Sequence, residues 1–101
     1  MPNPFDVVRN SRETTLTLRG SLDINSAAQL AEEIDKIVAA KTKNVVVNMA
    51  ELDLIDSSGV AALVKLYKGV RGTNGNFTMT GVRDQPLAIF KLLRLDKVFN
   101  L

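Results

Sequence analysis

The sequence contains no cysteine and no histidine, and these two absences remove most familiar reaction centres. Without thiols there is no disulfide framework, no thiolate nucleophile and no cysteine zinc site. Without imidazole, the commonest general base and metal ligand is missing. Tryptophan is also absent, and six glycines and three prolines among 101 residues leave no collagen-like or proline-rich tract. The longest apolar runs, Val45 to Val47 and Val60 to Val64, fall far short of the roughly 20 residues that cross a bilayer. The opening stretch, Met1, Pro2, Asn3, Pro4 to Asp6, has neither a basic leader nor an apolar run of signal-peptide length. These features predict a cytoplasmic protein with no membrane partner, in which the sequon Asn76, Phe77, Thr78 is never glycosylated. One-sided charge is lacking too: 13 Lys and Arg against 11 Asp and Glu give a net charge of +2, too slight to argue for nucleic acid.

What is present is an ordinary globular composition, 46% apolar and 24% charged, at a length that suits one domain over residues 1–101. Phe5 to Arg9 and Thr14 to Arg19 read as a β-hairpin joined by Asn10, Ser11, Arg12 and Glu13. Ala27, Leu30, Ile34, Ile37 and Val38 recur at helical spacing, and Ser26 with Gln29 is placed as a capping box. A helix is therefore predicted from about Ser26 to Ala40. Val45 to Met49 is the brief uninterrupted run of a strand covered on both faces, followed by loop-like residues as far as Asp56. Val60, Leu63, Val64, Tyr67 and Val70 predict a second helix ended by Gly72. Phe77 and Met79 predict a strand, Pro86 opens a third helix through Leu93, and Val98 to Leu101 reads as a last strand fragment.

The expected fold class is α/β, a single domain with a four- to five-stranded mixed β-sheet flanked by helices. Strands alternating with helices run parallel through right-handed crossovers, so the strands ending near Arg19, Met49 and Thr80 share one carboxyl edge. Open α/β sheets place their sites on that edge. It brings the loop holding Leu22, Asp23 and Asn25 beside the loop holding Asp56, Ser57, Ser58 and Gly59.

Two serines at a helix start, after Asp and before Gly, have two readings. They can cap the helix, since Ser and Asp satisfy its orphan amides. They can equally present a phosphoacceptor, because a phosphoserine adds about −1.5 to −2 charges at a helix N-terminus whose dipole favours anions. That charge would repel Asp56 and Asp23 and occupy a docking surface, which makes a switch. A helical wheel sets Val60, Leu63, Val64 and Tyr67 on one side of the second helix and Ala62, Lys65 and Gly69 opposite. Such a flat, small face is either solvated or a docking face.

Gly20, Ser21, Leu22, Asp23, and the stretch from Val45 to Met49 through Ile55, Asp56, Ser57, Ser58, Gly59 and Val60 resemble the STAS domain of bacterial anti-sigma factor antagonists over nearly the whole chain. The resemblance implies a transcription-regulating phosphoprotein with no catalytic residues, no metal and no cofactor. It implies partner switching: the unphosphorylated antagonist binds an anti-sigma factor that is also a serine-protein kinase, the kinase phosphorylates Ser57, with Ser58 the second choice, and a PP2C-like phosphatase resets the cycle. The implied partner-binding residues are Leu22, Asp23, Asn25, Asp56, Ser58, Gly59, Ala62, Lys65 and Gly69, on a chain that is monomeric when free. Many members continue with another helix beyond the third, whereas this sequence stops at Leu101. The alternative within the family is a scaffold or sensor subunit of a larger signalling assembly, or a soluble component of a lipid transporter.

Other signals are weaker. Gly69, Val70, Arg71, Gly72 matches the GXXG of a KH domain, but it ends a helix that leads into a strand rather than joining two helices. Ser57 or Ser58 with Lys65 lacks the spacing of a serine and lysine nucleophile pair. No Walker sequence occurs, and Asp53 with Asp56 is too sparse for a magnesium site.

Overall fold

A computed structural model describes residues 4–10 and 12–101; residues 1–3, and Ser11 of the predicted hairpin connection, lie outside them. Strands β1 (Phe5–Arg9) and β2 (Thr14–Leu22) form the predicted hairpin, followed by helix α1 (Ile24–Ala39), strand β3 (Asn44–Ile55), helix α2 (Ser57–Gly72), strand β4 (Asn76–Thr80) and helix α3 (Asp84–Leu92). The four strands lie in the order β1-β2-β3-β4. β1 runs antiparallel to β2, while β2, β3 and β4 are mutually parallel, as the crossover helices require. Among the described residues no helix is long and apolar enough to cross a membrane.

Alternation of side chains decides which face of the sheet is dry. Val7, Leu16, Val47 and Met79 lie side by side across the four strands, and Leu16, Val47 and Met79 are buried in one cluster with the apolar residues of all three helices. The alternate residues Val8, Thr15, Val46 and Thr78 form the neighbouring row and are half-buried or exposed. The helices therefore cover one face. In α1, Ala27, Leu30, Ile34 and Ile37 face this core; in α2, Val60, Leu63, Leu66 and Val70 do so.

Three sequence expectations are corrected. The capping box of α1 is made by Asp23 with Ser26, not by Ser26 with Gln29: Ser26 N–H donates to Asp23 Oδ1 at 3.1 Å, and Asp23 N–H donates to Ser26 Oγ at 2.9 Å. The helix begins directly on leaving β2, because Asp23 still has extended backbone and can cap there. Residues 50–55, expected as loop, continue β3. Two register shifts against β2 re-aim the side chains, so Met49, Leu52 and Ile55 are buried although they do not alternate. Val98 to Leu101 forms turns and no strand; Phe99 instead packs within 5.3 to 5.7 Å, centroid to centroid, of Phe90, Tyr67 and Phe77, and aromatic packing holds the chain where ladder bonds would have.

Candidate functional site

β2 and β3 end side by side and each runs straight into a helix through one capping aspartate. Asp56 N–H donates to the Leu22 carbonyl oxygen at 3.1 Å, which ties the two exits together. Asp23 caps α1, its Oδ1 accepting from the amides of Asn25 at 3.0 Å and Ser26 at 3.1 Å. Asp56 caps α2, accepting from Gly59 N–H at 3.1 Å. Two helix N-termini, each with a carboxylate, thus open onto one edge of the sheet. The two expected neighbours do meet, but as strand ends and helix starts joined by single residues rather than as loops.

Ser57 is the first residue of α2, immediately after the cap. It is exposed, and no hydrogen bond occupies its hydroxyl among the described residues. Ser58 is half-buried, and the cap that the two serines could have supplied comes from Asp56. Gly59 is buried because the helix lands on the strand ends. A Cβ there would stand 2.7 Å from both the Leu22 carbonyl oxygen and Ile55 Cγ1, closer than carbon atoms tolerate. Leu22, 2% exposed, and Gly59 therefore shape the site from beneath, while Asp23, Asn25, Asp56 and Ser57 form its surface.

The reading of Ala62, Lys65 and Gly69 as an open face is corrected. α2 is covered by the sheet and also by α1, so its buried arc centres on Leu63, Leu66 and Val70 rather than on Val60 and Tyr67. Gly69 faces α1, where an added Cβ would lie 2.5 Å from Val38 Cγ2. Small residues at this position let the helices approach. Ala62 packs against the core, and Lys65 Nζ pairs with Asp35 of α1 at 3.1 Å. Of the three, Lys65 alone stays exposed, beyond the rim of the site.

Sequence reasoning missed three contributors. Ile24 and Leu54 are apolar yet 68% and 53% exposed, on the residues next to Asp23 and Ile55. Gln85, from the entry to α3, joins Ser21, Leu22, Asp23, Leu54, Ile55 and Asp56 around an open groove of about 350 Å³. For Ile24 a signal existed, an apolar side chain directly after a capping aspartate; for Gln85 there was none.

The Ser26 amide above all, with the Asn25 amide and the Ser26 hydroxyl, holds the Asp23 carboxyl below its ordinary range. A depressed value means that the stabilisation is fully present above the unfolded-state pKa of about 3.9 and is lost as pH falls through the lower folded-state value. Asp23→Ala is accordingly expected to lower the melting temperature by a few degrees at pH 7, a difference that narrows at strongly acidic pH. Asp23→Asn, which can still cap, should retain most of the stability; thermal melts of both variants at neutral and acidic pH check the assignment.

The chain is similar to an anti-sigma factor antagonist from Mycobacterium paratuberculosis, at 21% identity with 94% of this chain and 80% of that one covered and a TM-score of 0.83. SpoIIAA, a Bacillus cell fate determinant solved in its phosphorylated form, is 19% identical over 92% of this chain and 86% of its own, with a TM-score of 0.78. A sulfate transporter family protein from Wolinella succinogenes is 18% identical over 91% of this chain and 75% of its own, with a TM-score of 0.76. At such identities the likeness establishes the fold. The family model described as Mlab, STAS domain, matches residues 5–101, and the chain belongs to the STAS domain family.

Proposed function

We propose that this STAS domain is an anti-sigma factor antagonist that works by partner switching. Unphosphorylated, it binds an anti-sigma factor that is also a serine kinase; phosphate on Ser57 releases it, and a PP2C-like phosphatase restores the binding form. The observation that carries this reading is the position of Ser57, exposed at the start of α2 with no hydrogen bond on its hydroxyl among the described residues, on the same edge as the Asp23 cap. A phosphate there would be accommodated by the free amides of the helix N-terminus. Its charge of about −1.5 to −2 would nonetheless stand beside Asp56 and near Asp23, repelling an acidic partner group and blocking contact with the surface. The partner-facing residues are Asp23, Asn25, Asp56 and Ser58, with Ile24 and Leu54 as added apolar contacts and Leu22 and Gly59 supporting them. The likeness to solved antagonists supports the role. The antagonist performs no chemistry of its own, and it is monomeric and cytoplasmic when free.

The test is a pull-down from the cells that make the protein, followed by intact-mass measurement. A serine kinase should be recovered with protein that lacks phosphate. Asp23→Asn should weaken that complex by about thirtyfold while its melting temperature stays close to wild type. Wild-type affinity in this variant would remove Asp23 from the contact surface. The isolated protein is expected to bind neither ATP nor GTP stoichiometrically in titration calorimetry; tight binding of either would contradict a role confined to docking and accepting phosphate.

A second reading is a STAS subunit of a transporter, favoured by the likeness to the sulfate transporter family protein. It predicts recovery of a membrane transporter in the pull-down and no phosphate on Ser57 under any growth condition.

A further inference from the structure

β4 ends at Thr80 opposite Asn48, yet β3 continues to Ile55. Beyond Asn48 the edge of β3 that faces away from β2 has no strand beside it among the described residues, and edge groups without a ladder need other partners. Side chains at the entry to α3 supply them. Arg83 Nε donates to the Ala50 carbonyl oxygen at 2.9 Å. The Gln85 amide meets Ile55 at both backbone polar atoms: Ile55 N–H donates to Oε1 at 2.9 Å, and Nε2 donates to the Ile55 carbonyl oxygen at 3.0 Å. One donor and one acceptor is what a residue of a neighbouring strand would offer. Pro86, buried in the first turn of α3, restricts the backbone that carries Gln85.

The peptide unit between Ile55 and Asp56 is thereby gripped from both sides. Its carbonyl oxygen accepts from Gln85, and its N–H donates to Leu22. The next residue after this unit is Ser57. We infer that Gln85 is a positioning residue: through the Ile55–Asp56 peptide it fixes the orientation in which the Ser57 hydroxyl is offered to a kinase, so that α3 controls how readily the switch is set. The inference rests on the reading of Ser57 as phosphoacceptor. Gln85 does not touch Ser57. Without its amide, Ile55 loses both partners, the peptide can turn, and the first turn of α2 samples several orientations. A kinase that binds one of them sees only that fraction of the molecules, which raises KM and leaves kcat nearly unchanged.

The experiment compares the full chain as wild type, Gln85→Leu and Gln85→Glu. Leucine keeps the apolar stem and removes both polar atoms; glutamate keeps the acceptor for Ile55 N–H and loses the donor. Amide hydrogen exchange followed by NMR should show Ile55 exchanging about tenfold faster in Gln85→Leu, as expected for one lost hydrogen bond. Leu30 and Ile34 in α1 should keep their wild-type rates, and Gln85→Glu should recover most of the protection at Ile55. If Gln85→Leu loses protection everywhere, Gln85→Glu is compared with wild type alone: faster exchange at Ile55 together with a raised KM supports the role, and wild-type values of both overturn it. Phosphorylation is measured with ATP and the serine kinase captured on the wild-type protein. The expected result for Gln85→Leu is a fall in kcat/KM of about tenfold, carried by KM. Unchanged Ile55 exchange, or faster exchange with unchanged kcat/KM, overturns the role of Gln85 and leaves the Ser57 reading standing. Faster exchange together with a wild-type protein that accepts no phosphate on Ser57 overturns that reading, and the inference with it.

Discussion

Leu63→Ala is expected to lower the unfolding free energy by about 2 to 5 kcal/mol, a large part of what a domain of this size has to spare. The side chain is 0% exposed and lies on the buried arc of α2 with Val60, Leu66 and Val70. Close-packed surroundings relax only partly around a lost isobutyl group, so a cavity remains and the contacts across it are forfeited. Lys65 is two residues further along the same helix, and its pair with Asp35 joins two side chains that are 62% and 66% exposed. Solvent screens such a pair, and Lys65→Ala should change stability by no more than about 0.5 kcal/mol. Urea melts of the two variants check the rotation of α2. Equal stabilities would mean that α2 is turned differently from the orientation described.

Substitutions at Ser57 are expected to have the largest effect on function. Ser57→Ala should accept no phosphate and still bind the kinase, because the hydroxyl holds nothing in the fold and methyl replaces it at an exposed position. Ser57→Asp should bind at least about tenfold more weakly, since like charges brought together at an interface cost several kcal/mol when they are desolvated. Asp56 at the cap and Asp23 across the groove are the charges that act with it. Both variants should melt near the wild-type temperature, and aspartate could even stabilise α2 slightly through its dipole. Isothermal titration with the purified kinase gives both affinities. Wild-type affinity for Ser57→Asp would separate the charge at this position from release.

Much of the fold was legible in the sequence where burial enforces a simple period. Leu16 and Leu18 alternate, and Leu30, Ile34 and Ile37 recur at helical spacing, because each element has one dry face. The far half of β3 was not legible, since its two register shifts place the buried Met49, Leu52 and Ile55 three residues apart, which hides the period of two that marks a strand. The cap of α1 lies three residues before the expected one because Ser26 and Gln29 match the Ser/Thr-x-x-Glu/Gln signature, whereas the box that forms, Asp23 with Ser26, does not. The wheel for α2 was off by the contribution of α1, since a helix covered on two sides buries a wider arc than its strongest apolar stripe suggests. The convergence of Asp23, Asp56, Ser57 and Gly59 was legible, because the topology brings both strand ends to one edge of the sheet. Gln85 was not, because its role is to imitate a backbone partner across 30 residues, and nothing in local pattern marks such a contact.

If Ser57 is the switch, the protein drawn from its own cells carries its phosphate there only when free of the kinase. The kinase-bound and free pools are separated, their intact masses measured and the phosphorylated peptide fragmented. A single phosphate is expected on Ser57 in the free pool and none in the bound pool. Phosphate on Ser58 with Ser57 unmodified, or equal occupancy of Ser57 in both pools, would contradict it.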